Sequence, residues 1–157
     1  MTGLAGGATP QSREVAISLE LMSGVQEIDP VGMTLSAFAG TPLQVLQEAA
    51  MQYNLVLPLD LAARGSCSIG GNIATNAGGT EVLRYGMARS LVLGLEAVLA
   101  DGTIVNSMNK MVKNNSGYDL KQLFIGSEGT LGIISRAVLQ LQPQFQATHT
   151  ALCALND

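Results

Sequence analysis

Five glycines, Gly65, Gly70, Gly71, Gly78 and Gly79, share one short run with Ser66, Ser68, Asn72, Thr75 and Asn76. No residue of the run is charged, and its side chains have little bulk. Glycine loses the most backbone freedom on ordering and offers a core nothing to pack. The chemistry that suits such a run is hydrogen bonding by bare main-chain N–H groups to a large polar ligand, with small hydroxyl and amide side chains beside them. Composition alone fits a flexible surface loop as well. Ile69, Ile73 and Ala77 weigh against that, because their i, i+4, i+8 spacing puts them on one face of a short helix. The run is therefore expected to be anchored on one side and open on the other.

Other reactive constellations are missing from the sequence. His149 is the only histidine, and Cys67 and Cys153 are the only cysteines. Two cysteines are too few for a disulfide framework, so a reducing compartment, taken as the cytoplasm, is the simpler expectation. There is no Ser–His–Asp set and no CxxC, and no metal site is expected. Cys67, inside the glycine run, reads as a buried inert thiol rather than a reactive one.

The elements that must position the run are legible in outline. Val15, Ile17, Leu19 and Leu21 alternate with smaller or polar residues, which predicts a strand over 14–22. A second strand is expected over 33–39. Thr41 and Pro42 read as N-cap and first residue of a helix that buries Leu43, Leu46, Ala50 and Tyr53 and ends at Asn54. Leu55-Val56-Leu57 reads as a short buried strand. Residues 91–100 and 103–107 read as a hairpin turned by Asp101-Gly102 in a two-residue loop. Asp119 is expected to cap one or two helical turns, 130–141 to form the last long strand, Pro143 to end it, and 148–154 to add an edge strand. The fold class expected is α+β, an antiparallel sheet flanked by helices.

The 157-residue length allows one domain with a real core. Hydrophobic residues make up 47% and charged residues only 13%, where about a quarter charged is usual. So little charge leaves apolar surface to be covered, and self-association is expected. A net charge of −4 gives no basic patch, which argues against nucleic acid. No apolar run approaches the roughly 20 residues that span a bilayer, and no signal-peptide pattern opens the sequence.

Three ordered blocks carry a family resemblance. The first is Pro58-Leu59-Asp60-Leu61-Ala62-Ala63-Arg64 leading into the glycine run. The second is Arg84-Tyr85-Gly86 through Leu93-Gly94-Leu95-Glu96-Ala97-Val98-Leu99-Ala100-Asp101-Gly102-Thr103. The third runs from Asn115-Ser116-Gly117-Tyr118-Asp119 to Gly126-Ser127-Glu128-Gly129-Thr130-Leu131-Gly132-Ile133-Ile134. Together they resemble the FAD-binding domain of the vanillyl-alcohol oxidase (PCMH) type, nearest its FAD-linked D-2-hydroxy acid dehydrogenases of the 2-hydroxyglutarate, lactate and glycolate class.

The resemblance implies the following. Gly3 and Leu4 belong to a first phosphate loop, of which Met1 to Ala8 is similar to the second half. Asp60 and the run from Gly65 and Ser66 through Ile69, Gly70 and Gly71 to Asn72 line the middle of the cofactor. Thr75, Asn76, Ala77 and Gly78 lie near the flavin ring or ribityl chain. Glu128, Gly129, Gly132, Ile133 and Ile134 hold the adenine side, although Glu128 also reads as a cap carboxylate. Arg84 touches the cofactor or the cap domain, or is a solvated surface residue. His149 lies outside all three blocks, so the FAD is expected to be non-covalent.

Residues 1–143 are expected to be a partial FAD-binding domain, its second lobe, without the N-terminal βαβ lobe. Residues 144–157 are expected to begin the connection to a C-terminal cap domain. In such enzymes a small 2-hydroxy acid meets the cap domain, hydride passes to flavin N5, and an electron-acceptor protein or quinone reoxidises the flavin. No residue here is a candidate for the proton-abstracting base, and FAD binding by this chain alone is expected to be weak or nil. The alternatives are another oxidase on the same fold and a non-catalytic assembly piece.

Overall fold

The computed structural model describes residues 2–154. A five-stranded sheet is formed by β1 (Val25–Asp29), β2 (Thr34–Phe38), β4 (Val92–Val98), β5 (Ile104–Asn106) and β6 (Ile133–Gln140). Its order is β1-β2-β6-β4-β5, and every neighbouring pair is antiparallel. A separate two-stranded sheet pairs β3 (Leu55–Val56) with β7 (Gln142–Pro143). Five helices accompany them among the described residues: α1 (Leu43–Met51), α2 (Ile69–Ala74), α3 (Val82–Tyr85), α4 (Ala88–Leu91) and α5 (Lys121–Phe124).

Alternation along the strands sends Leu35 and Ala37, Leu95 and Ala97, and Ala137 and Leu139 to one face of the sheet, all buried. Leu43, Leu46 and Ala50 of α1 and Ile69 and Ile73 of α2 join the same core, each fully buried. Each such Leu or Ile contributes on the order of 2 kcal/mol of hydrophobic stabilisation, and this burial holds α2 against β6.

The opposite face is polar at its centre. Glu96, 9% exposed, sits across from Arg136 in the β4–β6 ladder. Arg136 Nε donates to Glu96 Oε1 at 2.9 Å, its Nη2 donates to the other carboxylate oxygen, and Ser135 Oγ donates to Oε1 at 2.7 Å. The guanidinium first, and the Ser135 hydroxyl after it, hold the Glu96 carboxyl below the usual carboxylate range, while the same pair holds Arg136 above its ordinary value.

Several sequence expectations need correction. Residues 14–22 form no strand; Val15, Ile17 and Leu21 are exposed, and Leu19 alone packs on the core. Alternation makes a strand only where an edge is available to pair with, and here the chain is held at one end, by Gly40 N–H donating to Met22 O at 2.9 Å. Thr41 does not cap α1. Its hydroxyl donates to Phe38 O at 2.7 Å and accepts from Gly24 N–H at 2.9 Å, tying a turn to the end of β2. Tyr53 lies past α1 and is 47% exposed, while Asn54 takes the expected left-handed conformation with φ 57°.

The hairpin loop holds three residues, 100–102, not two. Gly102 N–H donates to Leu99 O at 3.0 Å and Leu99 N–H to Thr103 O at 2.9 Å, with Gly102 alone left-handed. This is a tight turn followed by a glycine bulge. Asp119 pairs with Lys121 Nζ at 2.7 Å instead of capping α5, and that ion pair lowers its pKa. The last long strand starts at Ile133, because Thr130 N–H is spent on Ser127 O at 3.0 Å. Pro143 does not end pairing; it lies in β7, opposite Leu55. Residues 148–154 are exposed and carry no strand.

Candidate functional site

Ser68 opens α2, its hydroxyl accepting from Gly71 N–H at 3.3 Å. Gly70 lies where a Cβ would come within 2.6 Å of Ala39 Cβ, so its lack of a side chain lets the helix close on the end of β2. Asn72 is 5% exposed, and its amide donates to the buried Cys67 Sγ at 3.4 Å. The expectation of open N–H groups along Gly65 to Asn72 is corrected for most of this stretch. Ile69 donates to Thr41 O, Gly70 to Ala39 O and Asn72 to Ser68 O, at 2.8–3.0 Å. Ile69, Gly70 and Asn72 thus form the anchored side. Ser66 is exposed, its amide donating to Ala63 O at 2.8 Å.

The open side begins where α2 ends. Ala77, expected on the helix face, lies beyond the last helical residue and is half-buried. Thr75 is exposed, its hydroxyl donating to Gly71 O at 2.9 Å. Asn76 is left-handed with φ 48°, and its side-chain oxygen accepts from Arg89 N–H at 3.0 Å. Ala77 O accepts from Ala88 N–H at 2.8 Å, so α4 is fastened to this exit twice. Gly79, with φ 94°, passes directly over the Asp60 carbonyl, where no Cβ could stand. Asp60 accepts from Thr80 N–H on its carbonyl at 3.2 Å, and its carboxylate meets Arg64 at 2.9 Å and the Thr80 hydroxyl at 3.2 Å. It shapes the loop and carries its own counter-ion.

The third sequence block folds onto that exit. Gly126 N–H donates to Ile73 O at 3.1 Å and Glu128 N–H to Ala74 O at 2.9 Å. The end of a helix leaves carbonyls without partners inside the helix, and here the second segment satisfies two of them. Gly126, Glu128 and Gly129 all have positive φ, which turns the chain sharply back toward β6. Gly132 is half-buried against Val98 O, 2.9 Å from where its Cβ would be. Ile133 and Ile134 belong to β6, with Ile134 in the core.

Glu128 Oε2 lies 2.9 Å from where a Cβ of Gly7 would be, so the N-terminal loop reaches the same corner. Gly3 and Leu4 are not brought in: Gly3 has open space around it and Leu4 is fully exposed. Arg84 stacks on the Phe145 ring at 4.5 Å and the Tyr85 ring at 5.1 Å, a structural role on the surface.

The donor set suits a large polyanionic ligand. Among the described residues, the N–H groups of Gly65, Ser68, Gly78, Gly79, Gly129, Leu131 and Gly132 have no protein acceptor. Bare amides of this kind cradle phosphate oxygens. The exposed Glu128 carboxylate only accepts, so it suits hydroxyl or amino donors rather than phosphate. No group of three or more His, Cys, Asp or Glu could hold a metal ion among the described residues. No helix there is long and apolar enough to cross a membrane.

Sequence reasoning missed the group that joins the two segments. Arg89 sends its guanidinium to Gln122 O at 2.9 Å, to the Gln122 side-chain oxygen, and to Ile125 O. It lies inside the second block, but nothing there singles it out; only the tertiary fold sets it beside α5.

Known proteins resemble this chain in sequence and in fold. Residues 1–107 match the family described as FAD binding domain. The mitochondrial D-2-hydroxyglutarate dehydrogenase of Bos taurus is 49% identical over 150 residues, covering 96% of this chain and 28% of that protein. The D-2-hydroxyglutarate dehydrogenase of Xanthomonas citri pv. viticola is 49% identical over 154 residues, or 98% of this chain and 33% of that protein. The chain thus spans about a third or less of the length of these relatives. A solved alkyldihydroxyacetonephosphate synthase superposes on 90% of this chain and 26% of its own, with TM-score 0.77 and 28% identity. The cytoplasmic expectation is overturned, since the relatives from Bos taurus, Rattus norvegicus and Danio rerio are mitochondrial proteins. With its glycine run and its Gly126–Gly132 segment closing on one corner of an antiparallel sheet, and with this match over residues 1–107, the chain belongs to the FAD binding domain family.

Proposed function

We propose that this chain is the FAD-holding part of a flavin-dependent oxidoreductase that oxidises a small D-2-hydroxy acid of the 2-hydroxyglutarate, lactate or glycolate class. The observation that carries the reading is the pair of amide bonds from Gly126 and Glu128 to the last carbonyls of α2. They put two small-residue segments, each with uncommitted N–H groups, at one corner. The relatives that share nearly half of its residues are D-2-hydroxyglutarate dehydrogenases.

FAD, when bound, supplies a two-electron acceptor for the hydride on the substrate's hydroxyl-bearing carbon. The chain's own residues bind and orient it. Gly65, Gly78 and Gly79 offer N–H donors from the first segment, and Gly129, Leu131 and Gly132 from the second. Thr75, Asn76 and Ala77 form the open wall beside the first set. Glu128 accepts from hydroxyl or amino groups of the nucleoside end. Gly3 and Leu4 join through movement of the exposed N-terminal loop, whose Gly7 already lies at Glu128. FAD is held non-covalently, since His149 and Cys153 are exposed on the segment after β7 and Cys67 is buried. Residues from 144 onward lead toward a substrate-binding part. The electron acceptor is a protein or quinone, and the setting is that of the mitochondrial relatives.

The test is titration of the purified chain with FAD, followed by flavin fluorescence and absorbance. Weak quenching that saturates only at high FAD concentration, in keeping with a partial domain, competed by ADP and abolished by Gly78→Val with Gly129→Val, is the expected result. An unsaturable signal that the double variant leaves unchanged would overturn the reading.

A further inference from the structure

Arg89 is given no role by the sequence alone, lies on the last turn of a four-residue helix, and is half-buried. Its main chain and its side chain grip different segments. Its N–H donates to Asn76 Oδ1 at 3.0 Å, on the exit of α2. Its guanidinium donates to Gln122 O at 2.9 Å, to Gln122 Oε1 and to Ile125 O, on the segment that carries Gly126 and Glu128. Gly126 completes the junction: a Cβ built there would lie 3.5 Å from both Arg89 Nη2 and Asn76 Cβ. A planar guanidinium is the one side chain that can span two carbonyls in this way, because its donors are fixed in a fork. A lysine ammonium can serve one carbonyl or the other as a compact point donor.

We infer that Arg89 is a positioning residue that sets the spacing between the two ligand-facing segments, and so presets the FAD corner before cofactor arrives. The inference rests on the FAD reading above for its consequence, but not for its geometry. The clamp acts on the amides of Gly126 and Glu128, which stay bonded to Ile73 O and Ala74 O only while the 122–128 segment is seated. Preset donors bind more tightly because less ordering is lost on binding.

The test compares the full chain with Arg89→Met, Arg89→Lys and Gln122→Leu. Hydrogen exchange is followed at the Gly126 and Glu128 amides, with Leu95 and Leu139 in the central strands as core references. FAD affinity is measured in parallel. The expected result is faster exchange at Gly126 and Glu128 in Arg89→Met, by tenfold or more, with the core references unchanged. Arg89→Lys restores only part of the protection. Gln122→Leu, which keeps both backbone carbonyls, loses less than Arg89→Met. FAD affinity falls in the same order. Equal exchange in all four proteins would overturn the inference, as would full rescue by lysine. If Arg89→Met loses core protection too, the Arg89→Lys and Gln122→Leu comparison decides. If the exchange pattern holds but no protein binds FAD saturably, the clamp stands and the FAD reading fails.

Discussion

Gly126 donates its amide to Ile73 O at 3.1 Å, across more than fifty residues of sequence. With the Glu128 N–H bond to Ala74 O, this bond ties the end of the helix in the glycine run to the turn that enters the last long strand. Gly126 can make it because its φ is 84°, a conformation that costs a residue with a Cβ about 1–2 kcal/mol. Gly126→Ala is therefore expected to lower stability by about 1 kcal/mol, with Gly126→Val worse. Urea denaturation measures the cost, and FAD titration shows affinity falling more than stability does. An alanine variant as stable and as tight-binding as the parent would contradict this.

Gly70 and Ala39 make a second close approach, with the Cβ of an alanine at 70 only 2.6 Å from Ala39 Cβ. Gly70→Ala is expected to cost about 1–3 kcal/mol through overpacking. Ala39→Gly in the same chain should recover part of that loss, because it removes the clashing methyl. A double-mutant cycle read by chemical denaturation gives the coupling; simple additivity of the two losses would count against the contact.

The Glu96–Arg136 pair gives a signed pH dependence. The Glu96 carboxyl is held below the usual carboxylate range, chiefly by the Arg136 guanidinium. Its contribution is therefore present above the unfolded-state pKa and is lost as pH falls through the lower folded-state value. Stability should drop below about pH 4, near the ordinary Glu value, and Glu96→Gln should flatten that drop. Arg136→Met leaves a carboxylate that is 9% exposed without its partner. It should cost about 2–3 kcal/mol at neutral pH, toward the low end for a buried pair because Arg136 keeps some solvent. Thermal melts between pH 3 and 8 check both.

Apolar surface remains uncovered along residues 14–22. Val15 is 88%, Ile17 69% and Leu21 101% exposed. Self-association through this segment is expected, since it offers unpaired main chain as well as apolar side chains. Val15→Glu with Ile17→Lys should shift the sedimentation profile toward the monomer at a fixed concentration. An identical profile for parent and variant would place the contact elsewhere.

The fold was legible wherever one segment's own chemistry sufficed. The Asp101-Gly102 turn and the run rich in Ile, Val and Leu over 130–141 located central strands, Asn54 marked a helix end, and the Ile69–Ile73 spacing separated an anchored face from an open one. The sequence could not say which amides of the glycine run were free. Ile69, Gly70 and Asn72 spend theirs on Thr41, Ala39 and Ser68, and only packing against the end of β2 decides that. Residues 14–22 show the converse. Their alternation is as clear as that of β2, yet a strand needs a neighbour, and no local pattern reports whether one is present.

By itself the sequence determined the family: the run of small uncharged residues from Gly65 to Gly79 lies within the stretch that matches the FAD binding domain family. Tertiary structure alone decided which donors remain available, that Gly126 and Glu128 close on Ile73 and Ala74, and that Arg89 holds them there. The physical reason is range. Backbone preference and periodicity act over a few residues, whereas a hydrogen bond between distant segments exists only after the sheet and its core have brought donor and acceptor to about 3 Å from each other.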